Sequence, residues 1–165
     1  MIDISFNTEM GKFNFRVCAV IVNDNKVLAM KDNHANYYYL PGGRVQFNET
    51  VENAVLRELK EELGVDAKII RPLYFNQNFF NEDVLKIDFH EICVYFLVDI
   101  SSTDILSRGD SFYGVETKKK QKFEWLTFER VKNEYLYPLF IKDKIDNLPA
   151  ILEINVEDKQ KNSNR

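Results

Sequence analysis

The chain has 165 residues, 45% hydrophobic and 29% charged, the balance of a soluble globular protein with enough apolar material for a sizeable core. A formal net charge of −4 argues against a general nucleic-acid binder, which would show a basic stripe, while a small nucleotide accompanied by a divalent ion stays open. Neither a signal segment nor a bilayer-spanning apolar run is readable, so a cytoplasmic protein without a membrane partner is expected.

Residues 1 to 12 carry no clear period and read as a short strand or a loosely held arm. Phe13 to Val22 alternates, with Phe13, Phe15, Val17, Ala19 and Ile21 on one side and Arg16, Cys18, Val20 and Val22 on the other. Such a strand is buried on both faces. Asn23-Asp24-Asn25 is a turn cluster, and Lys26 to Met30 returns as the second arm of a hairpin. Lys31 to Asn36 is polar loop, followed by a short aromatic strand over Tyr37 to Leu40.

After Pro41-Gly42-Gly43 the pattern becomes helical over residues 49 to 63. Asn48 or Thr50 caps the start, Ala54, Val55, Leu59 and Leu63 form much of the apolar stripe, and Gly64 closes the end. Ala67 to Phe75 reads as a strand bent by Pro72, and Asn76 to Asp83 as an Asn-rich loop. Lys86 to Ile100 is the longest predicted strand, Ser101 to Gln121 a polar loop or long hairpin, and Lys122 to Leu126 a short strand. Thr127 caps a helix reaching about Tyr135, and Pro138 opens another reaching about Asp146. The polar residues 158 to 165 are expected to be a disordered tail behind one domain over residues 1 to 157. Strands dominate and helices flank them, which predicts an α/β fold with a mixed sheet. Cys18 and Cys93 lie in apolar strands and read as buried reduced thiols.

The chemistry concentrates between Tyr39 and Val65. Glu58, Glu61 and Glu62 stand at i, i+3 and i+4 and project from one helix face, where like charges repel unless a cation sits among them. Such a cluster is either a solvated face or a metal site. Three carboxylates suit Mg²⁺ or Mn²⁺, and Gly42 and Gly43 let the backbone turn sharply and approach a ligand. Arg57 points away from that face and reaches toward Glu49 if the helix begins late.

Gly43, Glu49, Arg57, Glu58, Leu59, Glu61, Glu62, Gly64 and Val65 together fill the pattern Gly, five residues, Glu, seven residues, Arg-Glu-apolar-any-Glu-Glu-any-Gly-apolar. This stretch resembles the Nudix box, and Leu40-Pro41-Gly42 before it is similar to the family's usual entry. The resemblance implies an α/β/α sandwich and hydrolysis of a nucleoside diphosphate linked to another moiety. It implies that Glu58, Glu61 and Glu62, with the Gly43 carbonyl, hold Mg²⁺ or Mn²⁺, which neutralises pyrophosphate oxygens and activates a water. Arg57 and Glu49 would be the orienting ion pair, and Glu58 is either a metal ligand or a general base. Family members often add a carboxylate from outside the box. Glu116 is the leading candidate here because of its loop position, followed by Glu124 and Glu91.

Arg16 meets a substrate phosphate or pairs with a surface carboxylate, two readings of equal weight. Tyr37, Tyr38, Phe79 and Phe80 either stack on a base or belong to core and rim. Lys118 to Lys122 reads first as a solvated hairpin, and His34 and His90 as structural. The window Phe80 to Asp83 lacks the proline or tyrosine of subfamilies specialised for ADP-ribose or diadenosine polyphosphates, and no coenzyme-A motif is present. The expected partner is therefore a small nucleotide such as a nucleoside triphosphate, with a homodimer left open. Two alternatives stand beside it: a non-catalytic nucleotide-sensing domain, and an RNA 5′-end pyrophosphohydrolase, against which the acidic balance speaks.

Overall fold

The protein is described from a computed structural model covering residues 1–32, 36–82, 86–116 and 120–158. In chain order the strands and helices are β1 (Ser5–Thr8), β2 (Gly11–Val20), β3 (Val22–Asn23), β4 (Lys26–Lys31), β5 (Tyr38–Tyr39), β6 (Gly42–Arg44), α1 (Val51–Leu63), β7 (Lys68–Glu82) and β8 (Ile87–Asp99). A 3₁₀ turn over Ile105–Arg108 precedes β9 (Ser111–Tyr113), β10 (Lys122–Thr127), α2 (Phe128–Asn133), β11 (Leu136–Tyr137), α3 (Ile141–Lys144) and β12 (Glu153–Asp158).

The strands divide between two six-stranded sheets rather than lying in one. The first runs β1-β2-β8-β7-β12 with β6 added on β2, and the second runs β11-β5-β4-β10-β9 with β3 added on β4. Both are mixed. In the first sheet β2 and β8 run parallel with Val17 opposite Val94, whereas β7 and β8 are antiparallel. Alternation then sends the two faces of β2 and β8 into different cores. Val17, Ala19, Val94 and Phe96 pack with Ala54, Val55, Leu59 and Leu63 of α1. Cys18, Val20, Tyr95 and Leu97 pack with Val131 of α2 and with Ile141 and Ile145 around α3. Helices thus cover the strands from both sides, which is the expected α/β/α sandwich. A buried Leu such as Leu59 stabilises the fold by about 2–3 kcal/mol through the water it sheds.

Several boundaries differ from the sequence reading. The predicted Asn-rich loop at 76–83 is instead the continuation of β7 to Glu82. Asparagine is a poor strand former, but β7 has partners on both sides, β8 and β12, so tertiary pairing overrides local preference. Asn76 is buried there, donating to Glu157 (3.1 Å) and accepting from Asn155 (2.8 Å). The β7 register shifts on either side of Pro72, the bend expected of a residue that cannot donate to the ladder. The helix capped by Thr127 stops at Asn133, because Leu136 and Tyr137 pair as β11 beside β5, and the next helix shrinks to Ile141–Lys144.

β12 joins β7 in parallel and carries Asp158 within the strand, the first residue assigned to the predicted tail. Residues 159–165, His34, Lys118 and Lys119 lie outside the described residues. His90 is held between the Phe13 and Phe79 rings, with centroids at 5.6 and 4.5 Å, in keeping with a structural role. Among the described residues no helix is long and apolar enough to cross a membrane.

Candidate active site

Helix α1 starts where Thr50 Oγ1 accepts from the Asn53 N–H (3.2 Å) and ends where Gly64 takes a left-handed φ of 72°. Its inward stripe is Ala54, Val55, Glu58, Leu59, Glu62 and Leu63, so two of the six buried side chains are carboxylic acids. Glu61 sits outside the stripe and is about half exposed. A buried carboxylate is costly unless hydrogen-bonded, and each of these two has a specific partner. Glu62 accepts from the Gly42 N–H (3.1 Å) through one oxygen and from Gln121 Nε2 (2.9 Å) through the other. Glu58 accepts from Arg57 Nη1 (2.7 Å).

Two glycines make room for this. Gly42 has φ 146°, and a Cβ there would lie 2.2 Å from the Val17 carbonyl oxygen, so no other residue fits without moving β2. A Cβ on Gly43 would come within 2.3 Å of the Glu58 carboxylate. The turn is fixed in place because β6 pairs with β2, Gly42 opposite Cys18 and Gly43 opposite Val17.

The guanidinium of Arg57 is turned back toward the acidic face, a correction to the expectation that it points away. Its Nε and Nη2 grip both oxygens of Glu49 at 2.7 and 3.0 Å, and Nη2 also donates to the Arg44 carbonyl (2.9 Å). Nη1 donates to Glu58 and, at 3.3 Å, to Glu61. The reversal follows from side-chain length: an Arg beside a glutamate on a helix can fold around the axis and meet neighbours from both faces. Glu49 additionally accepts from the Gln46 N–H (3.0 Å). These hydrogen bonds, Arg57 foremost, hold the Glu49 carboxyl below its usual range against the opposing push of burial. Arg57 is pushed up in turn, first by its bond to Glu49.

The structure therefore brings Gly42, Gly43, Glu49, Arg57, Glu58, Glu61 and Glu62 into one constellation. The backbone leading to Glu116 joins it, since the Val115 N–H donates to the Glu62 carbonyl (2.9 Å). Arg16, Glu91 and Glu124 lie elsewhere. Arg16 and Glu91 face each other at 3.9 Å on the sheet face opposite α1, and Arg16 Nε is buried with no hydrogen-bond partner among the described residues. Glu124 accepts from the Tyr38 hydroxyl (2.7 Å) and from Arg130, beside the core under α2. Burial pushes the Glu124 carboxyl up, but the bonds from Arg130 and Tyr38 outweigh it and leave it below its ordinary value. Gln121 is the residue that sequence reading missed. It is buried against Glu62, and nothing in the polar run 101 to 121 marks one amide from its neighbours.

Glu58, Glu61, Glu62 and a glycine backbone form an all-oxygen donor set, which matches a hard divalent cation. Two features of the site agree: among the described residues Gln121 Oε1 is a buried acceptor with no partner, beside Glu62, and the missing side chain of Gly43 lets the Glu58 carboxylate lie directly against its backbone. Among the described residues no group of three or more His, Cys, Asp or Glu side chains is arranged as it stands to hold a metal ion. Arg57 and the Gly42–Gln121 pair currently engage Glu58, Glu61 and Glu62.

A helix carrying buried carboxylates behind a double-glycine turn, set in an α/β/α sandwich, is the arrangement this chain shares with a known family of hydrolases. The NUDIX domain model matches residues 12–145, and the chain belongs to that family. It is 28% identical over 127 residues to the ADP-ribose pyrophosphatase of Methanocaldococcus jannaschii, covering 73% of this chain and 71% of that protein. It is 46% identical over 64 residues to the 8-oxo-dGTP diphosphatase of Proteus vulgaris, covering 35% of this chain and 57% of that one. Among solved structures, the Mutator MutT protein from Bacillus halodurans superposes with a TM-score of 0.62 at 14% identity, over 89% of this chain and 92% of that chain. That likeness is one of fold.

Proposed function

We propose that this protein hydrolyses a pyrophosphate bond in a nucleoside diphosphate-linked substrate, a nucleoside triphosphate or related nucleotide, and that residues 1–157 act as one domain. The observation that carries this reading is the convergence on α1: Arg57 joins Glu49, Glu58 and Glu61, while the Gly42–Gly43 turn is built against Glu62 and Glu58. The names of the two relatives support the class, since each acts on a diphosphate attached to a nucleoside, and they differ in what lies beyond it.

Glu58, Glu61, Glu62 and the Gly43 backbone would hold Mg²⁺ or Mn²⁺, which supplies charge neutralisation at phosphate oxygens and acidifies a bound water. The protein's own part is positional. Arg57 fixes Glu49 and Glu58 relative to each other, so that Glu58 keeps one rotamer and presents its carboxylate to accept a proton. Gly42 N–H and Gln121 do the same for Glu62. Glu116 is the carboxylate outside the box best placed to join them, because its neighbour Val115 is anchored to the end of α1.

A panel of nucleoside triphosphates, ADP-ribose and triphosphorylated RNA, assayed for phosphate or pyrophosphate release with Mg²⁺, tests the proposal. Turnover that vanishes with chelator and in Glu61→Gln is the expected result. Activity unchanged by Glu61→Gln overturns the ligand assignment, and binding without turnover on every substrate marks a nucleotide-sensing domain.

A further inference from the structure

Two short segments far apart in sequence, Tyr37-Tyr38-Tyr39 and Tyr135-Leu136-Tyr137, lie side by side at one end of the second sheet. β5 and β11 run parallel there, with Tyr38 opposite Leu136 and Tyr39 opposite Tyr137, and the Tyr38 N–H donates to the Tyr135 carbonyl (2.8 Å). Strand alternation does the rest. Tyr38 and Leu136 turn into the core beneath α2, so Tyr37, Tyr39, Tyr135 and Tyr137 share the other face. Their rings touch edge to face around Tyr37, with centroids at 5.0 Å to Tyr137, 5.5 Å to Tyr135 and 6.3 Å to Tyr39. Tyr37 and Tyr135 remain 36% and 52% exposed, so this is an open aromatic wall and not a piece of core.

One end of the wall is joined to the active site along the chain. Tyr39 is three residues before Gly42, at most about 10 Å of extended chain, and its ring packs against the core cluster that contains Leu59 and Leu63 of α1. The Tyr39 hydroxyl is pinned by donating to Asp32 (3.0 Å), which fixes that end of the wall. Rigid rings offering large π faces at little entropic cost, three residues from the glycine turn of the site, match the needs of a flat heteroaromatic group carried on a phosphate.

We propose that the face formed by Tyr37, Tyr135 and Tyr137 is the platform on which the nucleobase of the substrate stacks, with Tyr39 linking it to the Gly42–Gly43 turn. This rests on the reading of the site as a nucleotide pyrophosphohydrolase and adds that the enzyme selects base-bearing over base-free pyrophosphates.

The test compares ATP with ribose 5-triphosphate in Mg²⁺ for the wild-type protein, for Tyr37→Leu/Tyr135→Leu, and for Tyr37→Phe/Tyr135→Phe. Losing a base–aromatic stack raises KM for ATP about 10-fold. The expected result has kcat little changed, KM for ribose 5-triphosphate unaffected, and the Phe pair behaving as wild type. A KM for ATP that does not rise in the Leu pair, or that rises equally for ribose 5-triphosphate, overturns the platform. Should the Leu pair not fold, tyrosine fluorescence of the wild-type protein titrated without metal decides: AMP quenches it and ribose 5-phosphate does not, and equal responses refute the proposal. A wild-type protein that hydrolyses no nucleotide, yet is quenched by AMP alone, sinks the catalytic reading and leaves the platform standing.

Discussion

Replacing Arg57 by Ala removes a side chain that touches three carboxylates and a backbone carbonyl together. Arg57 is 17% exposed, and Glu49 and Glu58 are each 11% exposed, so two nearly buried acids lose their cation. Breaking a buried pair from one side costs about 3–5 kcal/mol, and residual water access places this case near about 3 kcal/mol. For a chain of this size that is a fall of roughly 6–12 °C in Tm, read by thermal unfolding in chelator so that no cation substitutes for the guanidinium. Glu49 adds a pH signature. Its carboxyl is depressed mainly by Arg57, so it stabilises the fold above the unfolded carboxylate value and loses that contribution as pH falls through the folded one. Wild type therefore has more to lose in acid, and its advantage over the variant narrows below about pH 4. Arg57→Lys recovers charge but not the two-pronged grip and falls between them. A Tm loss below about 2 °C, or a gap that widens on acidification, would refute the view of Arg57 as the brace of the site.

Gly42→Ala forces a Cβ into the Val17 backbone and should cost several kcal/mol or abolish soluble expression, whereas Gly109→Ala, with φ 86° and open space around it, should cost about 1–2 kcal/mol by urea titration. Gln121→Ala strips Glu62 of one donor; a loss of about 1–3 kcal/mol and a weaker Mg²⁺ dependence of activity are expected, with unchanged apparent metal affinity counting against its role. Cys18 and Cys93 stand 3.6 Å apart in the core, and burial, with the neighbouring Cys18, pushes the Cys93 thiol up. Both should resist a disulfide-exchange reagent at pH 8 in the native protein and react on addition of urea; fast native labelling would show the core to be open.

What the sequence made legible has short-range causes. Thr50 and Gly64 bound α1 through local caps, and the four-residue spacing of Ala54, Glu58 and Glu62 already places them on one face. The fixed offsets from Gly43 to Glu62 carry the constellation because one turn and one helix build nearly all of it. Features that depend on distant chain are the ones that were lost. β7 runs through Asn76 and Asn78 only because β12 arrives to pair with it, and β12 itself leaves Ile154 and Val156 exposed, so its alternation carries no burial to betray it. Gln121 meets Glu62 across 59 residues, a juxtaposition no local pattern encodes. The tyrosine wall was half visible: Tyr37 and Tyr38 stood out, but strand alternation splits that pair, and the partner ring comes from Tyr135.

The arrangement of α1 also explains why the site is built from so many separate anchors. A helix that gave the core only apolar residues at its six inward positions would be the more stable element, since exchanging buried charge for packed hydrocarbon often stabilises a fold. Here Glu58 and Glu62 occupy two of those positions, and their desolvation is offset by donors from three places: Arg57 on the helix, Gly42 on β6 and Gln121 before β10, with Glu49 in turn holding Arg57. Each anchor fixes a carboxylate rotamer, and Arg57 also balances charge. The stability given up in the stripe is thus converted into position, and position is what the proposed pyrophosphate hydrolysis would require of its protein.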